Sequence, residues 1–270
     1  MELYQGIILG VLQGMTEFLP ISSSGHLVLG QLFFELKGSH LVFDVSVHLG
    51  TLFAVLVVYF SDIKIMVAAL LNFLIKFFKH QPLKPLIKED ENLKLIFLIF
   101  IGCIPTALIG LCLKQFENIL FTSKALVGSM LIITGTILYL SKNFSTKHTK
   151  KLNMKNSFLI GIVQGLAVIP GISRSGTTIA AGMFAGLNRK MAAKFSFLLS
   201  IPAITGAQFL SIKDVVQKEI QIDFVIISAT FVSFVTGLIA LKLLLKLLHS
   251  GKFHLFAFYC WFIGLITLII

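Results

Sequence analysis

The sequence predicts an all-α, polytopic membrane protein with about six transmembrane helices and two re-entrant helical hairpins. The first reason is composition: 56% of the 270 residues are hydrophobic, 13% are charged, and the mean hydropathy is +0.94. A soluble domain carries about 25% charged residues, so the composition excludes that class. The second reason is that the apolar residues form stretches of about 20, the length a helix needs to cross a bilayer.

Long apolar stretches predict where the chain crosses the membrane. Each of them is predominantly apolar and long enough to span the hydrocarbon core. We predict that the whole chain, 1–270, forms a single integral membrane domain around these helices. The predicted spans are 41–60, 94–113, 122–141, 192–211, 223–247 and 253–270.

Two further apolar regions, 3–36 and 156–188, are interrupted by short polar turns. The first turn begins at Pro20 and the second at Pro170. Proline, glycine and serine in these turns disfavour continuous helix, and each half is too short to cross a bilayer. Irregular backbone at membrane depth is tolerated where it is buried in protein. We therefore predict two re-entrant hairpins whose tips meet inside the protein.

The two interrupted regions resemble each other at a fixed offset of 151 residues. Three predicted spans separate the copies, and an odd number of crossings inverts one copy relative to the other. Inverted repeats beginning near 3 and near 156 are therefore predicted, with a site between them at mid-membrane. The matched pairs are Gly10/Gly161, Gln13/Gln164, Gly14/Gly165, Ile21/Ile172, Ser22/Ser173, Ser24/Ser175 and Gly25/Gly176.

The net charge of +11 does not indicate a nucleic-acid-binding protein. A surface that binds phosphates of nucleic acid is solvated and continuous, whereas these basic residues lie between apolar stretches. With the crossings above, seventeen of the 23 Lys and Arg residues fall on one side, five on the other, and Arg174 within the membrane. The positive-inside rule then places the basic loops in the cytoplasm and both termini outside it.

Polar and charged residues in the two interrupted regions indicate a functional site, because such residues are costly in a membrane. Gln13 and Glu17 are four residues apart and share one face of a helix. The turns that follow add hydroxyls, helix-terminal amides and the guanidinium of Arg174, a donor set suited to phosphate oxygens. The predicted substrate-binding residues are Gln13, Ser22, Ser24, Gly25, Ser173, Ser175, Gly176, Thr177 and Thr178.

The residues predicted to carry the chemistry are Glu17, Ser23, His26 and Arg174. Glu17 would act as the base that activates a hydroxyl, with Ser23 preferred as nucleophile over Ser22 or Ser24. His26 would be the acid for a leaving phosphate or itself the nucleophile, two roles that the sequence does not separate. Arg174 would offset the charge that develops in phosphoryl transfer.

Several of these residues also have a purely structural interpretation. Serine and threonine in membrane helices often bond their own backbone or a neighbouring helix, and Glu17 with Arg174 could form a structural ion pair. His48 and Asp44, in the first predicted span, are interpreted as polar helix contacts, with support of the site residues as the alternative for either one. Close helix packing is the interpretation of the glycines Gly6, Gly10 and Gly14.

Three segments resemble signatures of one bacterial family. Gln13–His26 is similar to the [E/Q]xxxE-FLP-SSxGH signature of the undecaprenyl-diphosphatase, or bacitracin-resistance, family, and Pro170–Thr178 is similar to its PGxSRSxxT signature. Phe195–Pro202 resembles the FSFLLAIP segment of that family. The similarity extends over essentially the whole chain, in order and in spacing.

The resemblance implies an integral enzyme of the bacterial inner membrane that removes the terminal phosphate of undecaprenyl diphosphate. The product, undecaprenyl phosphate, carries precursors for peptidoglycan synthesis, so bacitracin resistance and a role in cell-wall formation are also implied. A divalent cation, Mg²⁺ or Ca²⁺, and a site that opens toward the periplasm are implied as well. The expected partners are the polyprenyl diphosphate and the membrane, with a homodimer left open.

Two positions depart from the family pattern. Gln13 stands where many members have Glu, which leaves Glu17 as the only carboxylate near the predicted site. The metal ligands therefore stay unassigned, and the substrate's own diphosphate is expected to hold much of the cation. Lys194 also stands where many members have Glu, and no role is assigned to it.

Two other classes of function compete with the enzyme. Inverted repeats with broken helices are also the layout of secondary transporters, so a lipid-phosphate flippase or an anion carrier fits the same pattern. A non-catalytic membrane scaffold would leave Glu17 and Arg174 unexplained. The set of base, hydroxyl, histidine and guanidinium favours the enzyme, since a carrier needs only to bind.

Overall fold

The computed structural model describes residues 1–36, 41–79, 90–116, 119–120, 123–144, 150–216 and 223–269, with backbone alone for 211–216. This part of the chain is helical and contains no strand, as the sequence predicts. Short 3₁₀ turns follow the sixth helix at Ser141–Asn143 and precede the eleventh at Phe253–Leu255. The α-helices are α1 Leu3–Phe18, α2 Ser23–Phe33, α3 Leu41–Val58, α4 Phe60–Phe78, α5 Glu91–Lys114, α6 Lys124–Leu140, α7 Met154–Leu166, α8 Arg174–Phe184, α9 Arg189–Val216, α10 Phe224–His249 and α11 Phe256–Ile269.

Five segments of the described chain are long and apolar enough to cross a membrane, which confirms the predicted class. The predicted span 253–270 is a shorter apolar segment, Phe253–Ile269. Large apolar side chains such as Phe231 and Phe262 lie on the outer surface, where lipid would cover them. The five segments are Leu41–Val58, Glu91–Lys114, Lys124–Asn143, Arg189–Leu210 and Phe224–His249.

Helix α4 is not among the predicted spans. It follows α3 after a bend at Tyr59, whose φ of −101° and ψ of 17° interrupt the helix. It carries charged residues near both ends, including Asp62. Its composition is therefore not that of a membrane-crossing helix. Its described contacts are mainly with α5, and Lys194 on α9 donates to Asp62 at 2.5 Å. Lys194, which had no predicted role, therefore anchors the start of α4.

Both interrupted regions form helix pairs with a break where the sequence predicts one. Helix α1 ends at Phe18 and α2 begins at Ser23, while α7 ends at Leu166 and α8 begins at Arg174. The two helices of each pair pack against each other. These pairs are hereafter the first and second hairpins; their re-entrant placement in a bilayer stays a prediction.

The first helix of each hairpin packs against a helix from the other half of the chain: α1 lies on α10 and α7 lies on α5. Glycines permit the close approach. A Cβ atom on Gly10 would lie 2.6 Å from the carbonyl oxygen of Ala229, and one on Gly161 would overlap the backbone of Gly102. Because Gly10 and Gly161 are a matched pair at the 151-residue offset, the two halves use equivalent positions for equivalent contacts. The packing role predicted for Gly6, Gly10 and Gly14 is confirmed.

Candidate active site

The tips of the two hairpins meet in the interior, as the sequence predicts. The hydroxyl of Ser22 accepts a hydrogen bond from the backbone N–H of Gly171 at 3.1 Å. In the opposite direction, Ser175 Oγ donates to the carbonyl oxygen of Phe18 at 2.9 Å. Helices α2 and α8 both begin at this junction, so two positive helix ends face the same region. Such an arrangement favours an anionic ligand.

Glu17, at the end of α1, is the centre of the junction. Its side chain is 6% exposed. Oε1 forms an ion pair with Nη2 of Arg174, while Oε2 accepts from Ser23 Oγ at 2.6 Å and from Gln13 Nε2 at 3.0 Å. One carboxylate thus connects three predicted residues from both hairpins. Burial strengthens these contacts, because little solvent competes for the charges.

Ser23 and Ser22 differ in what their hydroxyls do, although they are neighbours. Ser22 is buried, and its oxygen accepts the N–H of Gly25 at 3.3 Å as well as that of Gly171. Its φ of +69° is rare for a residue other than glycine, and these bonds offset the strain. The Ser23 hydroxyl instead points to Glu17. Among the described residues, the Ser24 hydroxyl makes a long contact to Ser22, with 3.4 Å between the hydroxyl oxygens.

Arg174 is the first residue of α8 and extends from the second hairpin to Glu17. Its side chain is 15% exposed. Nη1 is buried and has no hydrogen-bond partner among the described residues, as is also true of Gln13 Oε1. A buried guanidinium N–H without a partner costs free energy unless a ligand completes it. The free donor on Arg174 therefore fits a phosphate oxygen.

The remaining hydroxyls of the second turn bond within the protein. Thr177 donates to the carbonyl oxygen of Ser173 at 2.7 Å, and Thr178 donates to that of Arg174 at 2.6 Å. Ser173 caps α8 by accepting the N–H of Gly176 at 3.1 Å. These contacts agree with the structural interpretation of membrane serine and threonine, and substrate binding by these residues stays a prediction.

His26 lies at the junction but is bonded away from Glu17. Its Nδ1 is 2.8 Å from the carbonyl oxygen of Ser22, so Nδ1 carries the proton and Nε2 is an acceptor in the neutral ring. Nε2 accepts from the hydroxyl of Tyr259 at 2.9 Å, and the two rings stack at 5.7 Å. Tyr259 was not predicted, because a tyrosine inside an apolar span gives no signal that distinguishes it from a packing residue.

His48 was predicted mainly as a helix contact, with support of the site as the alternative, and the structure places it beside Glu17. Its Nε2 lies 3.7 Å from Glu17 Oε2, and its Nδ1 lies 2.7 Å from the carbonyl oxygen of Asp44. The interpretation of His48 as a polar helix contact was therefore incomplete. The signal was present, since an ionisable residue inside a spanning segment is by default a functional candidate.

The residues at the junction do not form a metal cage. Among the described residues, no group of three His, Cys, Asp or Glu side chains is arranged to hold an ion. Glu17 is already paired with a guanidinium, and Gln13 Oε1 nearby is buried without a partner among the described residues. A hard divalent cation prefers about six oxygen ligands, more than these two residues supply.

Comparison with known proteins assigns the chain to a family. Residues 6–266 match the family model described as bacitracin resistance protein BacA. A protein of Desulforapulum autotrophicum named undecaprenyl-diphosphatase is 51% identical over 271 residues, covering 100% of this chain and 98% of that relative. Relatives of the same name from Desulfosudis oleivorans and Halothermothrix orenii are 48% and 40% identical, covering 99% and 100% of this chain and 98% of each relative. This chain therefore belongs to the BacA family of bacitracin resistance proteins.

Proposed function

We propose that this protein is a membrane phosphatase that hydrolyses undecaprenyl diphosphate to undecaprenyl phosphate and inorganic phosphate. The observation that carries the proposal is the Glu17–Ser23 hydrogen bond of 2.6 Å beside the buried guanidinium of Arg174. Base, hydroxyl and positive charge thus meet between two helix N-termini. Relatives named undecaprenyl-diphosphatase cover the full chain, which supports the same lipid as substrate.

The proposed first step is attack by Ser23 Oγ on the terminal phosphorus. Glu17 Oε2 accepts the hydroxyl proton, the Oγ–P bond forms, and the bond from phosphorus to the bridging oxygen breaks. Undecaprenyl phosphate leaves with the bridging oxygen. Water then cleaves the phosphoserine, releasing inorganic phosphate and restoring the serine. Ser22 is less suited to this role because its oxygen already accepts two backbone N–H groups.

We propose that Arg174 and the amides at the starts of α2 and α8 bind the diphosphate. Nη2 of Arg174 holds Glu17, while Nη1 offers its free donor to a non-bridging phosphate oxygen. The donors are in place before the substrate arrives, so they stabilise developing charge without rearrangement. Gln13, Ser24 and Gly25 are proposed to complete the binding surface.

His26 is proposed as the acid for the leaving phosphate. Because Nδ1 donates to the carbonyl oxygen of Ser22, Nε2 is the nitrogen that would first take up a proton to form the imidazolium and then give that proton to the leaving phosphate. In the structure, the hydroxyl of Tyr259 already donates a hydrogen bond to Nε2. The substrate must therefore displace this hydroxyl or receive the proton through it. Direct attack by His26 on phosphorus is the weaker alternative for the same reason.

The divalent cation is proposed to arrive with the substrate. A diphosphate binds Mg²⁺ or Ca²⁺ through its own oxygens, and Glu17 and Gln13 supply few protein ligands. The cation would neutralise phosphate charge. The chain's own residues would orient the complex and transfer the protons.

The proposed setting is the bacterial inner membrane, with both termini outside the cytoplasm and the site open to the periplasm. The count of Lys and Arg on either side of the predicted spans supports this orientation. Removal of undecaprenyl diphosphate would deprive bacitracin of its target and return the carrier lipid to peptidoglycan synthesis. A homodimer is a further candidate, to be tested by the mass of the purified protein in detergent.

The test is phosphate release from C55 diphosphate by purified protein in detergent, with and without a chelator. We expect release that depends on the added cation. Absence of release under every cation tested would overturn the enzyme proposal. A flippase or anion carrier on the same fold would bind the lipid without cleaving it, and transport is impossible to observe in detergent, so the assay separates the two classes.

A further inference from the structure

The proton that Ser23 would give to Glu17 has no stable place on that carboxyl group. Arg174 is paired with Oε1, and its positive charge favours the ionised carboxylate over the protonated acid. Gln13 donates to Oε2 and is not a base. Protonation of Glu17 at Oε2 would weaken its contacts with Arg174 and Gln13. The geometry therefore requires an acceptor near Oε2 to which the proton can move.

His48 is placed to be that acceptor. Its Nε2 is 3.7 Å from the same oxygen, Glu17 Oε2, that accepts the Ser23 hydroxyl. Nδ1 faces the carbonyl oxygen of Asp44 one turn earlier, so the neutral ring presents a lone pair at Nε2. Two lone pairs facing each other at this distance repel, and the contact becomes favourable when the pair shares a proton.

Two carboxylates lie near His48. Asp44, on the same helix, places a carboxylate one turn away, where Gln31 of α2 donates to it at 2.7 Å. Glu17 faces the ring from α1. From the other helices packed on α3, Ser233 of α10 and Gln208 of α9 bond backbone carbonyls of α3 and contribute no charge.

We propose that His48 is a positioning residue that receives, through Glu17, the proton lost by Ser23. The O–H bond of Ser23 breaks as the Oε2–H bond of Glu17 forms, and that bond then breaks as the Nε2–H bond of His48 forms. The carboxylate is regenerated beside an imidazolium and Arg174. When water displaces Ser23 from phosphorus, the proton returns by the same route to the serine oxygen. One proton of the water stays on the released phosphate, and the other restores the His26 acid.

The inference rests on the proposed phosphatase activity, and its test compares His48→Gln with wild type. Glutamine keeps a polar side chain of similar reach but does not titrate. General acid–base catalysis contributes about 10²- to 10⁴-fold, and a residue acting through a carboxylate should contribute less, so we expect kcat to fall about 10- to 100-fold. KM should change less than about threefold, because His48 contacts no phosphate in this mechanism.

The matched control is His254→Gln. His254 also bonds its own backbone, with Nδ1 3.1 Å from the carbonyl oxygen of Gly251, and the described hydrogen bonds of the junction do not include it. The ascending limb of the kcat profile between about pH 5 and pH 8, in which the rate rises as a histidine acceptor loses its proton, should be present in this control and absent in His48→Gln. Equal kcat values for the two variants at every pH would overturn the proposal.

Rescue of a His48→Ala variant by added imidazole keeps the test decisive if His48→Gln folds poorly. The His48 side chain is 29% exposed, so added imidazole can reach the space left in His48→Ala. Imidazole should restore part of kcat in that variant and leave wild type unchanged. No rescue in a His48→Ala protein that elutes and melts like wild type contradicts the inference. Failure of wild type itself to release phosphate would instead contradict the proposed function.

Discussion

Arg174 and Glu17 form a buried ion pair although 157 positions of sequence separate them. Each residue lies at the tip of a different hairpin, so the pair joins the two halves of the protein at its centre. Removing one partner from a buried pair leaves an uncompensated charge, at a cost of about 3–5 kcal/mol. The pair is therefore expected to matter for both stability and catalysis, and variants must separate these two effects.

Glu17→Gln should abolish most activity while keeping a side chain of the same shape. Loss of a general base lowers the rate about 10²- to 10⁴-fold, and we expect kcat for C55 diphosphate to fall in that range. The matched control is Glu91→Gln, since Glu91 is 72% exposed and pairs with Lys151 at the surface at 3.9 Å. Near-normal kcat in Glu17→Gln would remove the base assignment without affecting the family assignment.

Arg174→Lys tests the guanidinium rather than the charge. Lysine cannot hold Glu17 and a phosphate oxygen at once in a planar fork, so we expect kcat/KM to fall about 100-fold. Phosphate-release kinetics measure this directly. The chain's other arginine supplies the control: Arg189 lies beside Gly251, and Arg189→Lys should keep kcat/KM within about threefold. Equal values for the two variants would contradict the proposed role of Arg174.

Ser23→Ala should be far more damaging than Ser24→Ala. Loss of a covalent nucleophile is expected to lower kcat about 10³-fold or more, whereas Ser24 makes only a long contact to Ser22 and should act mainly on KM. Acid-quenched wild-type protein should carry a phosphate on Ser23 that mass spectrometry detects. Phosphorylation of another side chain, or a reversed order of the two variants, would remove Ser23 as the nucleophile.

Tyr259→Phe removes a hydroxyl but keeps the ring that stacks on His26. A hydrogen bond contributes about 1 kcal/mol, so we expect kcat to fall about fivefold with little change in melting temperature. Tyr139→Phe is the control, because Tyr139 packs on Phe258 and Trp261 away from the junction. An unchanged kcat in Tyr259→Phe would mean that His26 acts without this partner.

Gly14→Ala tests the packing of α1 on α10. The added Cβ would lie 2.5 Å from the carbonyl oxygen of Ser233 and 2.8 Å from the backbone nitrogen of Gly237, so one of the helices must shift. Overpacking costs about 1–3 kcal/mol, and a lower melting temperature in detergent should follow. Gly206→Ala is the opposite case, because nothing lies within 4 Å of its Cβ, and it should be neutral or stabilising. Equal melting temperatures for Gly14→Ala and wild type would contradict the proposed contact between α1 and α10.

The sequence predicted five of its six spans and both helix breaks well, because each depends on local properties. Hydropathy sums over about 20 neighbouring residues, and proline, glycine and serine act on the backbone next to them. Helix α4 was missed for the same reason. Its charges, such as Asp62, interrupt the apolar stretch, and the anchor for Asp62 is Lys194, which lies 132 positions away.

The candidate site was predicted only as a set of residues. Pairing of Glu17 with Arg174 was anticipated from two motifs. Ser23 was preferred over Ser22 and Ser24, but the sequence could not show which hydroxyl faces Glu17. The backbone at Ser22, with φ of +69°, directs that hydroxyl to two N–H donors and leaves Ser23 for Glu17. His26 was placed correctly at the tip, yet its bond to Tyr259, 233 positions away, follows from the packing of α11.

By itself, then, the sequence determined the membrane class, the broken helices and the kinds of chemical group available for phosphate chemistry. Only the tertiary structure decided which atoms face one another: Ser23 and not Ser22 at Glu17, Tyr259 on His26, and His48 at the same carboxylate oxygen. The physical reason is range and direction. Transfer free energies add along the chain whatever the fold, whereas a hydrogen bond exists only when donor and acceptor lie about 3 Å apart and aligned.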